Sequence, residues 1–111
     1  MPNICELIRN GHGGIKRHIV IVTFNIDADD QRLALQEIGD YVGNFLSQQP
    51  GFLGSRLHSG LDGASIVHYA EWECQADFLK AGEKARSHPS FGKLMSYKPN
   101  GLGYRLHRSF P

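Results

Sequence analysis

The middle of the chain reads Phe52-Leu53-Gly54-Ser55-Arg56-Leu57-His58-Ser59, then Gly60-Leu61-Asp62-Gly63, then Ala64-Ser65-Ile66-Val67-His68-Tyr69-Ala70-Glu71-Trp72-Glu73-Cys74. The four residues between the runs are turn chemistry, with two glycines and an aspartate between flanks rich in strand-forming side chains. That pattern predicts a β-hairpin. In the later run Ala64, Ile66, His68, Ala70 and Trp72 alternate onto one face. Ser65, Val67, Tyr69, Glu71 and Glu73 take the other.

Each side of the hairpin carries a helical period. Upstream, Asp27-Ala28-Asp29-Asp30 offers N-cap carboxylates and a negative first turn. The apolar stripe Leu35, Ile38, Val42, Phe45 and Leu46, with Ala34 and Tyr41 beside it, predicts a helix to about residue 49, where Pro50-Gly51 stops it. Downstream a second helix is predicted from 75 to about 87, with Phe78, Leu79 and Ala85 inward, broken by His88-Pro89. Residues 90–96 suit one more short helical turn. Residues 18–26, rich in Ile and Val, predict a first strand covered on both faces, and 102–110 a last one. The order β-α-β-β-α-β is the ferredoxin-like arrangement of the α+β class, a four-stranded antiparallel sheet with helices on one face. Ile19, Ile21, Val67 and Tyr69 make the other face partly apolar. Such a face is expected to hide against a second copy, as a homodimer packed sheet to sheet.

A chain of 111 residues holds one domain, placed at 18–111 behind an N-terminal extension at 1–17 that has no clear period. Twelve basic residues against eleven acidic leave a net charge of +1, which argues against nucleic acid or an anionic membrane as the partner. No apolar run approaches the roughly 20 residues of a membrane span, and no secretory h-region is present. A cytoplasmic protein is the expectation. Cys5 and Cys74 are then expected as two separate thiols, although one disulfide is possible in principle.

Chemistry-bearing residues are few. The third strand lacks the basic-Gly-aromatic signature of an RNA-recognition motif. There is no Cys-x-x-Cys pair, and Gly11-His12-Gly13-Gly14 precedes a strand instead of following one, so it fails as a phosphate loop. His58 and His68 flank the hairpin and share a face only in some registers, and no carboxylate or thiolate completes a metal set. No metal is expected. His68 and Trp72 share a face, about 13 Å apart along the strand, with small Ala70 between them leaving room for a hollow. The plain reading makes Trp72 a core anchor and His68 a satisfied interior histidine. The functional reading makes them an N–H donor and a proton carrier lining a pocket.

Val20-Ile21-Val22-Thr23-Phe24, Pro50-Gly51-Phe52-Leu53 and His68-Tyr69-Ala70-Glu71-Trp72-Glu73 together resemble the antibiotic biosynthesis monooxygenase superfamily over about residues 18–106. Within it the chain looks most like the small quinone-forming monooxygenases of aromatic polyketide pathways. The resemblance implies a dimeric α/β barrel that oxidises a phenolic or quinol-like aromatic with dioxygen to a quinone, with no metal, flavin or haem. It implies Trp72 and His68 as catalytic residues, and Phe24, Phe78 and Phe91 as apolar walls of the substrate site. His68 stands where those enzymes carry asparagine, and Phe78 where they carry a tyrosine. Their helix arginine has no fixed counterpart, since Arg86 and Lys93 are both near. A haem-degrading branch is disfavoured because the second helix lacks a histidine at the axial position. Two other readings share the fold: a non-catalytic dimer that binds a small molecule, and a non-oxidative isomerase or cyclase.

Overall fold

The hairpin turn closes as its residues predict. Gly63 N–H donates to Gly60 O and Gly60 N–H to Ser65 O, while the Asp62 carboxylate accepts from the Ala64 N–H and the Ser65 hydroxyl. The computed structural model describes residues 17–111, so the predicted extension, apart from Arg17, lies outside the described residues. The elements are β1 (His18–Asn25), α1 (Gln31–Asn44), β2 (Phe52–Ser59), β3 (Ser65–Trp72), α2 (Gln75–Ala85), α3 (Phe91–Ser96) and β4 (Asn100–Tyr104). The sheet is fully antiparallel, in the order β2-β3-β1-β4, with the helices on one face. This is the ferredoxin-like α+β arrangement.

Several boundaries differ from the sequence reading. The aspartates do not cap α1 with their side chains. A 3-10 turn, Ala28–Asp30, precedes the helix, closed by Asp30 N–H to Asp27 O at 2.9 Å. Gln31 then fastens the helix start to the hairpin, its amide donating to Gly60 O (2.9 Å) and Ser65 O (3.1 Å). The helix ends at Asn44 instead of near 49. Phe45 leaves helical geometry (φ −125°, ψ −62°), and the Ser47 hydroxyl takes the Gly43 carbonyl at 2.8 Å. A side chain that competes for a backbone acceptor beside a glycine ends a helix early. In α2, Leu79 is 55% exposed. Phe78, Ala81 and Ala85 share the inward face, and Leu79 stands about 100° round from Phe78. The last strand runs 100–104, not 102–110, because β1 offers partners only from Thr23↔Asn100 to Ile19↔Tyr104. Cys74 is disulfide-bonded, which corrects the expectation of separate thiols.

The Pro50-Gly51 stop has a structural reason beyond ending the helix. Gly51 sits at φ +86°, its carbonyl accepts from Glu73 N–H at 2.8 Å, and a Cβ there would collide with the buried Asp77 carboxylate. Gly51→Ala combines left-handed strain with that collision. It should lower unfolding free energy by about 3 kcal/mol, read from the shift of the urea midpoint.

The faces of β3 separate as the alternation predicts. Ile66, His68, Ala70 and Trp72 are buried under the helices. Val67, Tyr69 and Glu71 face outward and are half-buried beside Ile19 and Ile21 of β1. On that outer face Tyr69 Oη donates to Glu71 (2.9 Å), and Arg17 Nη1 pairs with the same carboxylate (2.9 Å). Leu102 and Tyr104 extend the row and remain 60% and 44% exposed.

Candidate active site

His58 and His68 are on opposite faces. Leu57 is the β2 partner of His68, and His58 pairs with Val67, so register rules out a shared metal site. Among the described residues no group of three His, Cys, Asp or Glu side chains is gathered.

The helix-side row of β3 crosses two apolar clusters. Ile66 packs with Phe24, Ala34, Ile38, Leu94 and Tyr97, whereas Ala70 and Trp72 pack with Val20 and Ala81. His68 falls between them, and a cavity of about 250 Å³ opens there between sheet and helices. The hollow is therefore displaced from the position over Ala70 that spacing suggested. Ala70 is only 2% exposed and is covered by neighbours. Phe24 of β1, Phe78 of α2 and Phe91 of α3 all line the cavity with His68. A larger groove, about 740 Å³, crosses the outer sheet face past Ile21, Arg56, His58, Val67 and Glu71, but it is open and its walls mix charged with apolar side chains.

His68 is 5% exposed, and its Nε2 is the one buried side-chain nitrogen or oxygen among the described residues with no hydrogen-bond partner. Burial pushes its pKa down from 6.5 to about 4, so at neutral pH the ring is uncharged. A buried polar atom left without a partner costs about 1–3 kcal/mol. A ligand hydroxyl or carbonyl in the cavity would recover that cost.

Trp72 does not line the cavity. It is 1% exposed and stands edge-on to Phe52 (5.3 Å between ring centroids) and to Phe78 (5.8 Å). Phe78 is thus the ring between Trp72 and the cavity. Arg86 and Lys93 do not line it either, and the Lys93 ammonium lies 5.4 Å over the Tyr97 ring. The sequence reading does not single out Tyr41, which lines the cavity from α1. Burial raises its pKa, so it remains a phenol and a donor. Its place next to the apolar stripe was the available signal, and it read as packing.

A ferredoxin-like sheet with a partly open apolar cavity under its helices is a widely shared scaffold, and a hollow of that kind suits a small molecule. Residues 17–97 match the antibiotic biosynthesis monooxygenase family, and the chain belongs to that family. It is 26% identical over 92 residues to tetracenomycin-F1 monooxygenase of Streptomyces glaucescens, covering 82% of each chain. Among solved structures, it superposes on a monooxygenase from the gene ActVA-Orf6 of Streptomyces coelicolor in complex with nanaomycin D (TM-score 0.74, 22% identity, 90% of this chain and 96% of that one). It also superposes on SnoaB, a cofactor-independent oxygenase from Streptomyces nogalater (TM-score 0.65, 17% identity, 86% and 98%). At these identities the structural likeness speaks for the fold.

Proposed function

We propose that the protein is a cofactor-independent monooxygenase that oxidises a phenolic or quinol-like aromatic with dioxygen to a quinone, working as a homodimer joined through its outer sheet faces. The observation that carries this reading is the partnerless, buried Nε2 of His68, a residue that lines an apolar cavity. A flat aromatic fills the apolar space, and one oxygen substituent satisfies the imidazole. The named activity of the tetracenomycin-F1 enzyme supports the same class.

The chemistry asks little of the protein. For an anthrone, a ring CH₂ loses a proton and the electron-rich anion reduces dioxygen, forming a C–O bond. The resulting hydroperoxide loses its remaining C–H proton and breaks its O–O bond, leaving a C=O and one water. One oxygen atom enters the product and the other becomes water. His68 accepts the first proton and returns it to the peroxide anion, giving the hydroperoxide; the second C–H proton then passes over the same imidazole to the departing hydroxide and completes the water. Its low pKa makes it a weak base in the empty cavity. A substrate anion beside it in a low dielectric raises that pKa at the moment of transfer. Apolar walls keep bulk water from the anion. Trp72 donates its indole N–H to the developing oxyanion once the Phe78 ring turns aside.

The test is oxygen uptake by metal-stripped protein with dihydroxyanthrone, beside a no-protein blank. Uptake well above the blank is expected, and Trp72→Phe should keep the fold and cut turnover about a hundredfold. Uptake equal to the blank would favour the non-catalytic binding reading, which the missing hydroxyl at Phe78 supports. An unchanged rate in Trp72→Phe would remove that residue from the mechanism.

A further inference from the structure

The cavity over His68 is small for the ligand assigned to it. Its volume of about 250 Å³ falls below the roughly 300–1,000 Å³ typical of small-molecule sites. A second depression of about 460 Å³ lies on the far side of one wall, between α1 and the segment joining α2 to α3. Tyr41 and Leu94 border both spaces. The outer groove differs from the cavity in kind, being rimmed by Glu37, Asp40, Asn44, His88 and Ser90.

Tyr41 is suited to be a movable partition. Its ring is held by aromatic edges, with Phe45 at 5.3 Å and His88 at 5.2 Å between centroids, the latter perpendicular. Burial is the one cause raising its pKa, and no hydrogen bond to another residue contributes. His88, by contrast, is fixed: its Nδ1 accepts from Ser90 N–H at 3.0 Å. A rotating Tyr41 therefore breaks no hydrogen bond and slides against a ring that stays put.

We infer that the substrate site continues past Tyr41 into the outer groove, with the oxidised ring over His68 and the distal, oxygen-bearing ring of a fused polycycle among the polar side chains of the groove. Tyr41 is then a specificity-determining residue that sets how many fused rings the site admits. The inference rests on the reading of the inner cavity as the aromatic site, and it adds the size class of the substrate. One-ring and two-ring compounds use the cavity alone, whereas a longer polycycle needs both spaces.

Binding tests it without turnover, because the chain's single tryptophan, Trp72, stands directly behind the cavity wall at Phe78 and its fluorescence reports occupancy. The probes are a two-ring hydroxynaphthoquinone and a three-ring dihydroxyanthraquinone, titrated into the full chain. The variants are Asn44→Tyr, which fills the outer groove from an exposed position and leaves the cavity untouched, and Tyr41→Ala, which removes the partition. Asn44→Tyr should weaken the three-ring probe about tenfold and leave the two-ring probe within about twofold. Tyr41→Ala should speed association of the three-ring probe and leave the two-ring rate nearly unchanged. Equal effects on both probes, or none on either, would overturn the extended site and leave the inner cavity standing as the aromatic site. Failure of the wild-type chain to quench with either probe would overturn both.

Discussion

His68→Leu should abolish oxygen uptake and at the same time make the protein more stable. The two effects share one cause. Leucine takes away the imidazole, the one described cavity-lining group able to accept a proton near neutral pH, a loss worth about 10²–10⁴ in rate. It also takes away a buried nitrogen without a partner, which costs the folded state about 1–3 kcal/mol. A residue whose removal stabilises the fold and ends its activity is kept for function. His68→Asn, which places at this position the amide that the family resemblance implies, should retain more activity than His68→Leu. The measurements are initial oxygen uptake and the urea midpoint for the three proteins. A leucine variant that is active, or one that is active and less stable, would make His68 an ordinary core residue.

The pH dependence of stability follows from the same imidazole. Its pKa is about 4 when folded and 6.5 when free. Between those values the unfolded chain binds the proton and the native one does not, so stability rises with pH across the interval. The contribution is complete above about pH 6.5 and is lost as pH falls towards 4, amounting to about 3 kcal/mol. His68→Leu should lack this acid limb, seen as a urea midpoint that changes less between pH 7 and about 4.5 than the wild type's.

Ile21→Arg should convert a dimer into a monomer. Ile21 sits near the centre of the outer sheet face, paired with Tyr69 of β3 on one side and Leu102 of β4 on the other. With Ile19 and Val67 these make a continuous apolar row that no helix among the described residues covers. Burying a row of this kind is worth roughly 25 cal/mol per Å², whereas a guanidinium placed in it without a partner carries a desolvation cost of several kcal/mol. Light scattering should show a mass of one chain for the variant and of two for the wild type. The cavity over His68 opens on the opposite face of the sheet, so small-probe quenching of Trp72 should persist in the monomer. A wild type that runs as a monomer would remove the sheet-to-sheet dimer from the proposal.

Local features are the ones legible in the sequence. Ile66, His68, Ala70 and Trp72 share a face because a strand alternates with a period of two, and any register of β3 keeps them together. The turn at Gly60–Gly63 needed only its own residues and Ser65. Phe24, Phe78 and Phe91, which the family resemblance implies as apolar walls, line one cavity with His68, and their contact with substrate belongs to the proposal.

What required the tertiary structure was the relation between elements. His58 and His68 were separated by a register that pairs Leu57 with His68, and a one-residue slip would have brought them to the same face. Trp72 was set behind Phe78, and Tyr41 was turned to the cavity wall, by how α2 and α1 dock on the sheet. Helical period specifies which stripe faces inward, but not where along the sheet each side chain lands. That placement depends on side-chain volumes from four separate elements filling one space, so a run of residues on a single helix or strand does not contain it. The sequence by itself determined the strand faces, the turn and the order of elements. Only the packing of α1, α2 and α3 against the sheet decided that, among the described residues, the one buried side-chain nitrogen or oxygen without a partner would be Nε2 of His68, a residue lining an apolar cavity.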